Sequence, residues 1–395
     1  MAFSANIERL QPSATIAVSS LAKQLRREGR PVIGLSAGEP DFDTPGWVAE
    51  AATAGIRQGM TRYTPAAGMP ELRQAIAGSL SQRAGRDIDP DGVVVTAGAK
   101  QALFNACFCL FGPGDEVLVA APYWTSHPEI VTLARAEPVP VRGAEEDGFK
   151  LTPAVLDRAA SGRTRGLIYS SPSNPSGAVY SREELTALAE WARDRDVWLI
   201  ADEIYRYIHF GDGPAPGLLE LDPAALGPHV LVDGASKAFA MTGWRIGYSY
   251  SEVEVARKMT ALQSHVSSNA ATPSQVAALA AFRNPDHIEI DIGNMLDAFR
   301  RRRDLVVDLF EELLPDFPYV EPQGAFYLFF RVDAAFDGDV ADAAAFCTRL
   351  LEETGVAVVP GNAFGDGRWV RLSYAVSDAV LEDGIRRMAG MLAKR

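Results

Sequence analysis

The stretch DGASKAFAMTGWRIGY, residues 233–248, places Lys237 among small and apolar neighbours, with Arg245 eight positions on. The chain is sparing with lysine: 38 residues are Lys or Arg, and only six of them are lysines. Lys23, Lys150, Lys258 and Lys394 stand among polar or charged residues and read as solvated surface charge, whereas Lys100 and Lys237 do not. A guanidinium stays protonated, but an amine that loses its proton in an apolar setting attacks carbonyl groups and forms a Schiff base. Taken alone, Lys237 also fits a lysine that caps a helix or snorkels from the edge of a core.

The residues that accompany it point one way. Asp202 ends the apolar run VWLIAD (197–202), where an unpaired carboxylate is costly and calls for a cation such as a protonated ring nitrogen. TAGAK (96–100) brings small residues with free backbone N–H groups to an expected helix start, and Ser236 and Arg245 flank Lys237. A phosphate monoester suits that combination, because helix-start amides and a forked guanidinium both favour a dianion. A Schiff-base lysine, a carboxylate for a ring nitrogen and a phosphate cup together specify pyridoxal 5′-phosphate. Singly, Asp202 reads as a helix cap, Ser236 as a turn residue and Arg245 as a surface charge. In this order, each at a strand end, they read as one site.

The elements that must position them are short β-branched runs: VVVT (93–96), VLVA (117–120), GLIYS (166–170), VWLIAD (197–202), VLVDG (230–234) and IGYSY (246–250). Helical stretches lie between most of them, including KQALFNACFCLF (100–111) and SREELTALAEWARDRD (181–196), which opens with the capping box Ser181/Glu184. This alternation predicts an α/β fold on a largely parallel sheet covered on both faces. Ligands bind such sheets beyond the carboxyl ends of the strands, where Gly98, Trp124, Asn174, Asp202 and Lys237 gather. A long helix at about 285–314 leads into a smaller α/β unit with strands at 324–330, 355–361 and 369–375.

Length and charge narrow the function. A chain of 395 residues exceeds what one core usually serves. The net charge of −13 excludes a nucleic-acid or anionic-membrane surface. No apolar run reaches 18 residues and the N-terminus lacks a signal-peptide layout, which predicts a cytoplasmic protein. Three cysteines offer no disulfide framework, and neither Cys107 and Cys109 nor the five histidines have metal-ligand spacing, so no metal site is expected.

Long motifs carry a resemblance over almost the whole chain: AGEPDFDTP (37–45), YTPAAGMPELR (63–73), PGDEVLVAAPYW (113–124), SPSNPSGAVY (171–180), ADEIY (201–205), SKAFAMTGWRIGY (236–248), GAFY (324–327) and VRLSYA (370–375). The sequence resembles the fold-type I, class I/II pyridoxal-phosphate aminotransferases, close to the bacterial aspartate aminotransferases with prephenate-active relatives. The resemblance implies a large domain (41–290) on a mostly parallel seven-stranded sheet and a smaller α/β domain (291–395) that includes the N-terminal segment 1–40. It implies that Lys237 carries the cofactor and moves the substrate proton, and that Asp202 keeps the ring nitrogen protonated. Tyr205 and Asn174 would bond the phenolic oxygen, and Trp124 would stack on the ring. Gly98, Ala99, Ser236 and Arg245 would hold the phosphate, with Tyr63 reaching in from a second subunit of a homodimer. Arg371, Asn174 and the backbone of Gly38 would take the α-carboxylate. His127 falls behind the aspartate, where a plain core histidine fits equally, and Asn269 would lie near the partner's phosphate site.

An amino acid with a distal carboxylate needs a further cation, and the resemblance assigns that role to Lys100. Its place in the first turn of a helix opposes the helix dipole and asks for another reason. Ser13 and Thr15 would flank the substrate. Prephenate-active relatives often carry a basic residue where this chain has Gln11. The expected reaction is ping-pong transfer of the amino group of aspartate to 2-oxoglutarate. The rivals are transfer from aromatic amino acids or prephenate, a C–S lyase on the same fold, and a cofactor-bound regulator. The partners expected are amino acids and 2-oxo acids, with neither nucleic acid nor membrane.

Overall fold

The computed structural model describes residues 3–10 and 14–393. A helix at Ala14–Arg27 precedes the short strand β1 (Ile33–Gly34). Seven strands then form the large sheet: β2 (Val93–Thr96), β3 (Glu116–Ala121), β4 (Glu137–Arg142), β5 (Thr164–Ser170), β6 (Trp198–Asp202), β7 (His229–Gly234) and β8 (Gly247–Ser251). Their spatial order is β2-β8-β7-β6-β5-β3-β4, with β8 antiparallel to both neighbours and the other pairs parallel.

Alternate residues of these strands feed two separate cores. Val93, Val95, Leu118, Leu167, Leu199 and Leu231 pack on one face. Val94, Val117, Val119, Ile168, Ile200 and Val232 pack on the other. Because both faces are covered, the strands read as unbroken apolar runs. Truncating a leucine buried this completely costs about 2–5 kcal/mol, so the two layers hold the strand ends firmly.

Six of the seven strands are the apolar runs of the sequence. The seventh, β4, reads EPVPVR, and its two prolines hide it. It lies at the sheet edge with β3 as its single partner, which is where a strand tolerates a residue without an N–H. The expected capping box forms: Ser181 Oγ accepts from the Glu184 N–H at 3.2 Å, and Glu184 Oε2 accepts from the Ser181 N–H at 2.7 Å. It starts the helix Arg182–Asp194, which connects β5 to β6.

The long helix spans Pro285–Leu313. Beyond it come β9 (Tyr319–Val320), β10 (Tyr327–Arg331), β11 (Val356–Ala357), β12 (Val359–Pro360) and β13 (Trp369–Ser373). An antiparallel sheet runs β12-β13-β10-β9, while β11 pairs in parallel with β1. The strand expected from residue 324 begins instead at Tyr327. Ala325 takes a left-handed φ of 58°, and Gly324 bridges to His209, so the chain turns before it extends. The single strand expected over 355–361 is two short ones, each pairing with a different neighbour.

Candidate active site

The parallel strands deliver their carboxyl ends to one cavity of about 420 Å³. Asp202 is the last residue of β6. β7 ends at Gly234, and Ser236 and Lys237 follow in the short helix Ala235–Ala238. Asn174 lies in the loop after β5, Trp124 just after β3, and Ala99 and Lys100 begin the helix after β2. All seven line the cavity, as do Gly38, Tyr205, Arg245 and Arg371.

Lys237 Nζ donates to the backbone carbonyl of Gly38 and sits 5.6 Å and 5.9 Å from the ring centres of Tyr205 and Phe326. Burial pushes its pKa down to about 8; Glu39 opposes the shift, and the positive charges of Arg371 and Arg245 add to it. The amine is thus partly neutral at physiological pH, as acid–base work requires.

Asp202 is buried, and its Oδ2 lies 3.0 Å from His127 Nε2, itself 2% exposed. Its Oδ1 accepts from the Ile204 N–H at 3.3 Å. The His127 ring meets Trp124 edge to face at 5.4 Å, so one histidine braces both the carboxylate and the indole. A buried ring bonded to Asp202 fits both readings open for His127, a residue behind the aspartate and a satisfied core histidine.

Arg371 extends from the middle of β13 and is 1% exposed. Its Nη1 donates to Asn174 Oδ1 at 3.0 Å and its Nη2 to the Ser36 carbonyl at 2.9 Å, while its Nε has no partner. Among the described residues it pairs with no carboxylate, and burial lowers its pKa. A buried guanidinium without a counter-charge is costly, which makes this corner a receptor for an anion. Tyr327 lies beneath it, with the guanidinium carbon 4.2 Å from the ring centre, and its hydroxyl meets that of Tyr205 at 2.7 Å. The motif GAFY contained Tyr327, but nothing local revealed its tie to a residue 122 positions away.

At the other end, Gly98 caps the helix Ala99–Leu110 with a φ of 85°. A side chain there would be strained and would put its Cβ 2.4 Å from Arg245 Nη2, so glycine lets the guanidinium close on the helix start. Arg245 donates to the Thr242 carbonyl at 2.9 Å and, among the described residues, makes no ion pair. Helix amides facing a guanidinium form an anion site. Lys100 is exposed, with its Nζ 4.9 Å from the centre of the Trp124 ring. Partial burial, then the nearby Arg245, lowers its pKa.

Several expected residues lie elsewhere. Tyr63 is 89% exposed and does not line the cavity. Asn269 is half-buried and bonds the Ala270 carbonyl. Ser13 and the side chains of Thr15 and Ile16 lie outside the described residues, as does Gln11. Among the lining residues the motifs did not mark, Ser20 and Lys23 lie three apart on the helix Ala14–Arg27. Lys23 is solvated, as its surroundings suggest, yet its place is the cavity rim. Among the described residues no helix is long and apolar enough to cross a membrane.

A family model, aminotransferase class I and II, matches residues 30–388. The chain is 42% identical over 401 residues to an aspartate/prephenate aminotransferase of Cereibacter sphaeroides, covering 100% of this chain and 99% of that one. It is 40% identical to an aspartate aminotransferase of Geobacillus stearothermophilus, with both chains covered in full. Among solved structures, the aspartate aminotransferase of Thermus thermophilus with maleate superposes with a TM-score of 0.92 at 41% identity, covering 99% of each chain.

Proposed function

The chain belongs to the class I and II aminotransferases, and on that premise we propose that it moves the amino group of aspartate to 2-oxoglutarate by a ping-pong mechanism. The observation that carries the choice of substrate is a pair of cations lining one cavity with a low-pKa amine: Arg371, buried, and Lys100, facing solvent. A ligand with carboxylates at both ends satisfies them together, and maleate in the Thermus relative is such a ligand.

The cofactor of this reading is pyridoxal 5′-phosphate, and the residues present fit it. Gly98 leaves a helix start open to Arg245, Asp202 lines the cavity with His127 behind it, and Lys237 has an amine pulled down to about 8. When bound, the group supplies a carbonyl that condenses with amines and a protonated ring that draws electrons from the substrate Cα. Gly98, Ala99, Ser236 and Arg245 bind its phosphate. Asp202, oriented by His127, holds the proton on the ring nitrogen. Tyr205 and Asn174 bond its phenolic oxygen, and Trp124 covers the ring.

Arg371 takes the α-carboxylate in two parallel hydrogen bonds, which fixes the Cα–H bond toward the amine. Lys237 would hold the cofactor through its amine and, with that amine free, would move the substrate proton from Cα to the cofactor carbon on the other side of the amino nitrogen. The burial that lowers its pKa suits it to do both near neutrality. Lys100 reads the distal carboxylate. Tyr63, exposed here, reaches the phosphate site of a second subunit, which makes the working unit a homodimer. We assign residues 41–290 to the large domain and 291–395 to the small one. The pairing of Ile33–Gly34 with Val356–Ala357 supports placing the segment 1–40 with the latter.

A panel of amino donors and 2-oxo acid acceptors tests the reading. Aspartate and 2-oxoglutarate should be the best pair. A preference for phenylalanine or for prephenate would move the donor to the aromatic branch, which the name of the Cereibacter relative keeps in view. Release of pyruvate without amino transfer would favour a lyase.

A further inference from the structure

Five cavity-lining residues are cationic, Lys23, Lys100, Lys237, Arg245 and Arg371, against two carboxylates, Glu39 and Asp202. In a chain of net charge −13 this is a local positive well, and a concave site focuses such a field on incoming anions. Four of the five have roles in the function proposed above. Lys23 is left over.

Its position is not accidental to the helix. Ser20 and Lys23 fall three apart, hence on one helix face, and both line the cavity while exposed to water. The carboxyl end of the same helix already has Arg26 and Arg27 in its last turn to complement its dipole, so Lys23 is not needed there. Among the described residues it makes no ion pair, which leaves its charge available to a ligand. The neutral Ser20 beside it does not offset the charge.

We infer that Lys23 is a specificity-determining residue: a free cation at the rim whose field favours ligands that bring a second negative charge into the cavity. This rests on the dicarboxylate reading. A field acts on total charge, so a dianion loses about the square of the factor a monoanion loses when Lys23 is neutralised. Because the charge is exposed, its effect falls with salt as the screening length shortens from about 30 Å at 0.01 M to a few ångströms near 1 M.

The test is calorimetric titration of the cofactor-loaded protein with maleate and with propionate, neither of which turns over, at low and at high ionic strength. Lys23→Gln should weaken maleate about 3- to 5-fold at low salt and propionate less than about 2-fold, in the range of a solvent-exposed charge contact. At high salt the maleate loss should itself fall to within about 1.5-fold, no longer distinct from that of propionate. Lys23→Arg should bind maleate as the parent does, which separates charge from damage to the helix. Unchanged maleate binding in Lys23→Gln at low salt, or equal weakening of both ligands, would overturn the inference, while a loss for Lys100→Ala alone would leave the dicarboxylate reading standing. If the parent itself does not prefer maleate to propionate, both fall together.

Discussion

The cavity has two walls built on opposite terms. The inner wall holds Lys237, Asp202, Arg371, Asn174, Tyr205 and Tyr327, buried or nearly so. Lys237 bonds the Gly38 carbonyl, and the others are tied to one another or to His127 by hydrogen bonds between 2.7 and 3.0 Å. The outer wall holds Lys23, Lys100 and Arg245, exposed and without ion pairs among the described residues. Burial makes the inner wall precise and lowers the proton affinity of Lys237 and Arg371, which is what chemistry common to every substrate needs. Exposure leaves the outer wall weaker and screened by salt; Arg245 there serves the cofactor phosphate, and Lys100 and Lys23 are enough to rank substrates by their far ends. Changes to the inner wall should therefore damage all substrates alike, and changes at Lys100 and Lys23 should damage them selectively.

The largest effect belongs to Lys237. Lys237→Ala should lose covalent retention of the cofactor, with about 10²–10⁴-fold of the fall in rate due to the missing proton transfer alone. Borohydride reduction and peptide mapping check the assignment: the label belongs on Lys237, and finding it on Lys100 would contradict it. Lys237→Arg should not recover activity, because a guanidinium neither condenses nor gives up its proton near neutrality.

Arg371 comes next. Arg371→Lys replaces two parallel hydrogen bonds by a point charge and should lower kcat/KM by about 10- to 100-fold. Aspartate, glutamate, alanine and phenylalanine should suffer by similar factors. A defect confined to aspartate would move Arg371 to the outer, selective group.

The smallest effect is one of pH. In the protein stripped of cofactor, burial and neighbouring guanidinium groups disfavour the charged form of Lys237, so its amine becomes neutral as pH rises through about 8 rather than 10.5. Its reaction with trinitrobenzenesulfonate should rise about fivefold between pH 7 and pH 8, as expected for a group titrating there. A midpoint near 10 would mean that the amine is as solvated as a surface lysine.

The same division explains what the sequence reveals and what it hides. Asp202, Lys237 and Asn174 end or follow apolar runs, and strand ends follow from local pattern, so their place is legible in the sequence, whereas Arg371, in the middle of β13, is reached only through the resemblance. What is not legible depends on distant segments meeting. Tyr327 acquires its partner Tyr205 only when β10 lies against the segment after β6, and His127 reaches Asp202 only because the helix after β3 starts beside the end of β6. Lys23 looks like any solvated lysine until the helix that carries it is laid over the cavity. The edge strand β4 escapes notice because its prolines read as loop, and tertiary position alone makes them tolerable.

The most direct test of the account is the ratio of kcat/KM for aspartate to that for alanine, measured in the parent and in Lys100→Ala. Removing one charge-assisted hydrogen bond is worth about 1.5–3 kcal/mol, so the ratio should fall about 10- to 150-fold, with alanine nearly unchanged. Equal losses for the two amino acids would show that Lys100 supports the phosphate end or the helix start, and that the outer wall does not select the substrate.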